Sequence, residues 1–486
     1  MGEMIFSTND ILKKGFFIVN SNYKQSEANF YENLFLTHKE NCTLKDRIIA
    51  TIREAEKVIK ICSFVITDNE IVSEIIEKAK NPNFAIFILT MLDKNRLTNK
   101  ISLDSDADEE DFPFKDIDSH LNNIKKLRDH GVHIRAAESV HAKFMIADRN
   151  EGIITSANFT TNSLSHNVES GVYMDSESSK ALDRLFDAIY LNGAPYKSFI
   201  TTKQSKKMFI TKVNAGLIKE NLNFPYHNLR FTYSNLHNGL FDEILNIINN
   251  AEDFIYLSSY SIIELTMIES FVKAISEAIE RGVQISIFCR AMNRLDHIEG
   301  CRKLSRKGCK IFAECYNHSK GIVSEKNGMI FTANIDGKHG LINGFEIGYI
   351  LNEDQKEEFL KFHKELISMS IFRFENTPVR SSFMEFIALY EMEKNQNPIS
   401  VGTDLELIVN KSLQKYFHNI SDSLIFIGNK REKDRKISFI QIDNEFYETT
   451  MNYNKIKVLR KCKSFFDAEK YLLKYKNLKV IFSDEQ

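Results

Sequence analysis

At 486 residues the chain exceeds one typical domain, and a length prior of roughly 100–200 residues per domain makes two to four the expectation. With 43% hydrophobic and 27% charged residues it excludes a disordered chain, and no run of 18 uninterrupted apolar residues marks a membrane span. A formal net charge of −2 gives no global basic signature for nucleic acid, so any such signal has to be local.

The first residues, MGEMIFSTNDILKKGFF, lack the basic and then apolar layout of a signal peptide, and Phe6 stands where a myristoylation motif carries Ser or Thr. A cytoplasmic protein without an integral membrane segment is the expectation. Seven cysteines (42, 62, 289, 301, 309, 315 and 462) form an odd, scattered set without CxxC spacing, which argues against a disulfide framework or a zinc ribbon. Cys301, Cys309 and Cys315 lie near His297, but buried, unligated thiols are the expected reading, so neither metal nor cofactor is expected.

Prolines punctuate the chain. Pro195 and Pro225 bracket a polar, Lys-rich stretch, and Pro378 and Pro398 bracket the exit from a helical region. These breaks give an N-terminal segment (1–44), a first lobe (45–195), a connector (196–235), a second lobe (236–375) and a C-terminal module (400–486).

The two lobes repeat each other. AEKVIKICSF (55–64) matches AEDFIYLSSY (251–260), each a β-rich run behind an amphipathic helical pattern. The strand-like FAIFILT and QISIFCR follow, and then NNIKKLRDHGVHIRAAE matches EGCRKLSRKGCKIFAE, a helix ended by Gly that leads into a strand. His141 maps to His318 at an offset of 177, Asn158 to Asn334 at 176 and Glu169 to Glu346 at 177, so one α/β module is written twice. Ala55 maps to Ala251 at the larger offset of 196, which places about 19 extra residues in the first lobe. They coincide with the acidic stretch DSDADEEDFPFKDID (104–118), expected as a surface loop. In residues 400–486, SFIQID and EFYETTMNY read as strands and FFDAEKYLLKYK as an amphipathic helix, a small α+β module.

The chemistry lies in the repeated segment. In HAKFMIAD (141–148) a strand would place His141 and Lys143 on one side and Ala142, Phe144 and Ile146 on the other, and HSKGIVSE does the same for His318 and Lys320. The apolar runs IITSAN and IFTAN then end in a hydroxyl and an amide two apart, Ser156 with Asn158 and Thr332 with Asn334. A lone HxK on a strand edge means little; the full set, twice at matching spacing, points to one composite site.

The paired segments resemble the HxKxxxxD signatures of the phospholipase D superfamily, in which the motif continues to Ser, any residue and Asn. HAKFMIAD with TSAN is the closer match; in the second copy Glu325 replaces the Asp148 equivalent and Thr332 the serine. The later Asn-x-Glu of the family is present as NVE ending at Glu169, against NGFE ending at Glu346. Over roughly residues 55–370 the resemblance implies two duplicated lobes, each a mixed β-sheet flanked by helices, whose motifs line one cleft.

For a phosphodiester the logic is that four donors, Lys143, Lys320, Asn158 and Asn334, neutralise the non-bridging oxygens without a metal. One neutral imidazole attacks phosphorus to give a phosphohistidine and the other protonates the leaving oxygen. Glu169 and Glu346 are expected to accept from an imidazole Nδ1, with Ser156 and Thr332 in support and Asp148 and Glu325 as structural partners. By analogy His141 is the nucleophile and His318 the general acid. The superfamily spans nucleases and phospholipases, so the expectation is a nuclease acting on DNA or RNA, with a defence or restriction role implied by analogy only. The alternatives are a cytosolic phospholipase and an inactive scaffold. Basic clusters at Lys203, Lys206, Lys207 and Lys212, at KREKDRK (430–436) and at KIKVLRKCK (455–463) are candidate phosphate-tracking surfaces, and the C-terminal module is the candidate for a protein partner or self-association.

Overall fold

The computed structural model of the chain describes residues 15–24, 29–91, 114–137, 140–192, 196–202, 205–213, 217–234, 236–292, 294–379, 382, 386, 404–417, 425–432, 435–442, 445–452, 455–462, 469–472 and 477–484. Two compact units divide it: Asn20–Phe374, and a smaller one made of Met1–Val19 with Glu375–Gln486.

The larger unit holds both lobes. First-lobe strands are β1 (Phe35–Thr37), β2 (Val58–Cys62), β3 (Ala85–Thr90), β4 (His133–Ala137), β5 (Phe144–Ala147), β6 (Glu151–Thr155), β7 (Glu169–Tyr173), β8 (Tyr196–Thr202) and β9 (Ser205–Val213). They form one sheet in the order β9-β8-β4-β3-β2-β5-β6-β7-β1. Second-lobe strands are β10 (Leu229–Tyr233), β11 (His237–Asn238), β12 (Phe254–Ser259), β13 (Gln284–Arg290), β14 (Lys310–Glu314), β15 (Gly321–Ser324), β16 (Gly328–Phe331), β17 (Phe345–Ile350) and β18 (Phe372–Glu375). Their order is β18-β14-β13-β12-β15-β16-β17-β10-β11. From β8 to β1 and from β18 to β10 the two sequences of strands are the same, and so is the mixture of directions: a parallel trio, β2-β3-β4 or β12-β13-β14, beside an antiparallel ladder, β5-β6-β7 or β15-β16-β17. The duplication read from the offsets is thus a duplication of topology.

Central parallel strands are apolar throughout because both faces are covered. VIKIC of β2 is buried along its whole length, and its one charge, Lys60, is held by Asp183 at 2.5 Å and Asp187 at 2.8 Å. The crossover helices are α1 (Thr43–Glu54), α2 (Asn69–Ala79) and α3 (Phe114–Asp129) in the first lobe, matched by α4 (Gly239–Asn250), α5 (Glu269–Glu280) and α6 (Leu295–Lys307) in the second. Beyond the last turn of α3 and of α6 the chain adopts the left-handed backbone that favours glycine, at Gly131 (φ 88°) and Gly308 (φ 116°).

The extra residues of the first lobe fall where the offsets require. Thr90 ends β3 and Phe114 opens α3, whereas the second lobe makes the same crossing with residues 291–294 alone. Of the acidic stretch, 104–113 lie outside the described residues and 114–118 belong to the first turns of α3. Residues 196–202 and 205–213, expected within a connector, instead form the antiparallel pair β8-β9, of which β8 pairs with β4 and covers an edge that would otherwise be open.

Asp148 and Glu325 both bind backbone amides at a strand entry. Asp148 accepts from the backbone N–H of Glu56 (2.8 Å), Lys57 (2.7 Å) and Val58 (3.1 Å), fixing the entry to β2. Glu325 accepts from Glu252 (2.7 Å), Asp253 (3.3 Å) and Phe254 (3.3 Å) at the entry to β12. One more methylene reaches the same three donors, which is why the second motif tolerates Glu.

In the smaller unit, β19 (Asp404–Asn410), β20 (Ile425–Glu432), β21 (Arg435–Ile442), β22 (Glu445–Asn452), β23 (Lys455–Cys462), β24 (Glu469–Leu472) and β25 (Asn477–Ser483) form a sheet ordered β24-β20-β21-β22-β23-β19-β25. The strands expected at SFIQID and EFYETTMNY are β21 and β22. The helix expected over FFDAEKYLLKYK is not formed at Glu469–Leu472, which pairs antiparallel with β20; cross-strand pairing there overrides a weak helical period. The basic run KIKVLRKCK falls largely on β23, where Lys455 pairs with Glu406 (3.1 Å), Arg460 with Glu448 (2.6 Å) and Lys461 with Glu445 (2.7 Å). Neighbouring strands therefore cancel much of the charge expected to track phosphate. The side chains of KREKDRK and of Lys203, Lys206, Lys207 and Lys212 lie outside those described.

The Asp148 carboxyl is partly buried, which disfavours its charge, yet its three backbone donors outweigh this and hold it below the usual carboxylate range. Its contribution is therefore complete above the unfolded value of about 3.9 and is lost as pH falls through the lower folded value. Asp148→Ala is expected to destabilise the larger unit by about 1–2 kcal/mol at neutral pH, the loss of three charge-assisted hydrogen bonds to largely exposed backbone donors. Denaturant unfolding at pH 7 and again near pH 2 checks this, since the deficit relative to wild type should shrink in acid.

Candidate active site

The lobes meet along their motif segments. Isolated parallel bridges join Val140 to Phe345 and Val168 to Asn317, so each lobe's chain just before its histidine runs beside the other lobe's chain at its glutamate. The backbone N–H groups of His141 and Ala142 donate to Phe345 O at 3.1 and 2.8 Å, and that of His318 donates to Val168 O at 2.9 Å. Beneath them lies one apolar core drawn from both lobes, including Val140, Phe144, Val168, Phe231, Phe345 and Ile347. His141 and Lys143 thus precede β5 rather than lying on it, and His318 and Lys320 precede β15: the histidine N–H groups are held by the opposite lobe, whereas Lys143 O and Lys320 O accept from Thr155 N (3.1 Å) and Phe331 N (3.3 Å) of their own lobes.

That approach pairs the motif residues of one lobe with those of the other. His141 Nδ1 lies 2.5 Å from Glu346 Oε1, and His318 Nδ1 lies 2.7 Å from Glu169 Oε1. Each glutamate is braced within its own lobe, Glu169 Oε2 by the Ser156 hydroxyl at 2.6 Å and Glu346 Oε2 by that of Thr332 at 2.5 Å. Lys143 and Lys320 are fully buried, and their ammonium groups donate to His141 O (2.5 Å) and His318 O (2.8 Å). Asn158 and Asn334 are also buried, each with an amide Oδ1 that has no partner among the described residues. Buried polar groups are ordinarily paired, so two such amides mark a site shaped for a polar ligand. Six of the eight residues singled out in the motifs, His141, Lys143, Glu169, His318, Lys320 and Glu346, are thus joined with Ser156 and Thr332 where the lobes meet, whereas Asp148 and Glu325 bind backbone elsewhere.

The electrostatics follow from the crossing. Burial disfavours the charged forms of Glu169 and Glu346, but the histidine opposite each, the lysine beside it and the bracing hydroxyl outweigh burial and hold both carboxyls below the usual range. Burial is the main reason that His141 lies below its ordinary value; Glu346 pulls it up and Lys143 pushes it further down. A carboxylate on Nδ1 fixes the tautomer and leaves Nε2 for a ligand. The lobes are not equivalent here: the His141 side chain is 24% exposed and His318 is fully buried.

Three pairs of positions escaped the motif reading although the repeat contained them. Ser63 and Ser259 end the matched runs CSF and SSY. Ser63 Oγ accepts from Phe159 N (3.1 Å) and donates to Val65 O (2.7 Å); Ser259 Oγ accepts from Ile335 N (3.0 Å) and donates to Ser261 O (2.6 Å). Each serine thereby fixes the residue after a site asparagine. Phe64 and Tyr260 follow, each edge-on to its lobe's histidine: Phe64 to His141 at 5.4 Å and Tyr260 to His318 at 5.3 Å between ring centroids.

His120 and His297 form the third pair. His297 Nδ1 accepts from Ile262 N (3.0 Å), which leaves the proton on Nε2, facing Arg290 O (3.0 Å). His120 makes the same bonds with Ile66 N (3.0 Å) and Met91 O (3.2 Å). Cys289, His297 and Cys301 bring their ligating atoms within 4.8 Å of one another, whereas Cys309 and Cys315, close in sequence, do not join them. Both His297 nitrogens bond backbone as His120 does in the other lobe, and Nε2 in addition meets Cys301 Sγ at 3.5 Å.

Residues 48–190 match the family model described as "Cardiolipin synthase, PLD-like domain". Among solved structures, the chain is similar to phosphatidylserine synthase of Haemophilus influenzae Rd KW20 (12% identity, TM-score 0.48, covering 79% of this chain and 97% of that one). It is also similar to polyphosphate kinase of Porphyromonas gingivalis (14%, 0.47, 75% and 53%) and to Nuc, a phospholipase D family member of Salmonella typhimurium (18%, 0.26, 30% and 96%). Among curated proteins nothing matches the chain. The family match identifies residues 48–190, the first lobe, as a phospholipase D-like domain, a family of phosphodiesterases and phosphotransferases, and the second lobe repeats its motif.

Since His141 lies below its ordinary value, it is expected to stay neutral as pH falls past ~6.5. Ring-proton NMR of the free protein, assigned with His141→Gln, checks this: a midpoint above 6.5 would contradict it. Glu346→Gln removes the attraction that favours the imidazolium and should move the midpoint lower still.

Proposed function

We propose that the protein is a metal-independent phosphodiesterase that cleaves nucleic acid, DNA foremost, through a phosphohistidine. The observation that carries this reading is the crossed pair of His–Glu bonds, which presents two oriented imidazoles to one cleft. His141, the more exposed and held toward its neutral form, is the nucleophile: its Nε2 attacks phosphorus. His318, opposite ionised Glu169, gives a proton to the leaving oxygen as the phosphorus–oxygen bond breaks. In the second step His318 takes a proton from water, whose oxygen displaces His141 from phosphorus and releases the phosphate product. Lys143, Lys320, Asn158 and Asn334 neutralise the non-bridging oxygens in both transition states, so no metal is required for that task.

Nucleic acid is favoured over lipid by the described surface. A lipid-hydrolysing enzyme needs an apolar or amphipathic docking face. The exposed large apolar residues among those described fall singly along the chain, at Tyr23, Phe30, Leu191, Ile218, Met267, Val379, Tyr416 and Leu459. No helix among the described residues is long and apolar enough to cross a membrane. The retention of His, Lys, Asn and Glu in both copies, assembled in one place, argues against an inactive scaffold.

Purified protein in chelator is expected to hydrolyse DNA, and His141→Ala and His318→Ala each to lose at least about 100-fold in rate. Single- and double-stranded DNA, RNA and phospholipid vesicles are the substrates to compare. Activity that appears only with added metal, or that survives both substitutions, sinks the mechanism, and cleavage of lipid alone sinks the nuclease reading. Acid-labile phosphate trapped on His318 rather than His141 reverses the roles.

A further inference from the structure

Because the chain contains the same lobe twice, each position of one rim has an internal control in the other. Met91 and Arg290 are such a pair. Met91 N donates to Phe64 O at 3.4 Å and Met91 O faces His120 Nε2; Arg290 N donates to Tyr260 O at 3.2 Å and Arg290 O faces His297 Nε2. Met91 directly follows β3 and Arg290 ends the equivalent strand β13, each bonded to the backbone of the aromatic residue whose ring touches its lobe's histidine. The backbones therefore superpose in role, and only the side chains differ.

That difference is one of charge. On the second lobe the Arg290 guanidinium carbon lies 5.2 Å from the centroid of the Tyr260 ring, whose edge faces His318. The residue with the equivalent backbone bonds in the first lobe, Met91, carries a neutral thioether instead. A phosphodiester held between two histidines has two ester arms, and these arms meet unlike walls. The wall on the His318 side carries a permanent cation about one ring away from the reacting phosphate, and an arginine of that kind recognises an anionic oxygen pair. Glu314 stands opposite Arg290 in the β13–β14 register, so a phosphate arriving there competes with a carboxylate, and the effect expected is moderate.

We propose that Arg290 determines specificity by binding the neighbouring phosphate of the nucleic-acid strand on the His318 side of the cleft, which sets the polarity in which the strand lies across the site. The inference rests on the nuclease reading and adds the direction of the substrate to it.

The test is to replace Arg290 by its internal counterpart. Arg290→Met and Arg290→Lys are compared with wild type on a single-stranded oligonucleotide and on bis(p-nitrophenyl) phosphate, a diester without a second phosphate. Arg290→Met should raise KM for the oligonucleotide about tenfold, several times more than for the small diester. It should also lower the slope of log KM against log salt by about 0.7, the loss of one contact to a single strand. Arg290→Lys should restore most of that slope, which a merely structural defect would not allow. An equal loss on both substrates, or an unchanged salt slope, overturns the proposal while leaving the nuclease reading intact. A wild-type protein that turns over the small diester or anionic phosphatidylglycerol vesicles and no oligonucleotide overturns both.

Discussion

Everything in the larger unit depends on two hydrogen bonds that cross between its lobes, His141 to Glu346 and His318 to Glu169. Neither lobe owns a complete imidazole–carboxylate pair. The lobes must therefore approach to within hydrogen-bonding precision, and the chain secures this with the backbone bridges at Val140–Phe345 and Val168–Asn317 and with a single apolar core drawn from both. Burying carboxylates and ammonium groups costs solvation, and such pairs are poor devices for stability. Their presence, with Lys143 and Lys320 wholly buried, is explained by the chemistry they make available.

The near two-fold symmetry of the site suits the two-step transfer proposed above, in which each step needs one imidazole as a nucleophile or leaving group and one as an acid or base. The departures from symmetry carry the rest of the reading. His141 is partly open where His318 is sealed, Phe64 stands where Tyr260 does, and Met91 occupies the place of Arg290. A duplicated lobe supplies two equal half-sites, and later substitutions within it make the halves different.

Much of this was legible in the chain. The repeat offsets gave two lobes and located the extra residues between Thr90 and Phe114. Glycines at 131 and 308 ended helices because the left-handed backbone there suits no other residue so well. The far-end acids were readable as structural because their distance along the strand puts them away from the histidines. Other expectations failed for identifiable reasons. Glu469–Leu472 is a strand because β20 offers it a partner, and the basic run on β23 is largely paired because β19 and β22 place carboxylates across from it. Neither partner is a neighbour in sequence.

The sequence by itself determined the local chemistry: which residue types recur, that His and Lys lie two apart, that a hydroxyl precedes an asparagine by two, and that each set occurs twice. Only the tertiary structure decided that the sets are shared crosswise, that His141 and Lys143 stand before their strand, that Ser63 and Ser259 anchor the residues after the asparagines, and that Met91 and Arg290 occupy equivalent places. The physical reason is range. Periodicity and spacing report on contacts within a few residues, whereas the His–Glu bonds join residues 205 and 149 positions apart and exist only once two folded lobes have met.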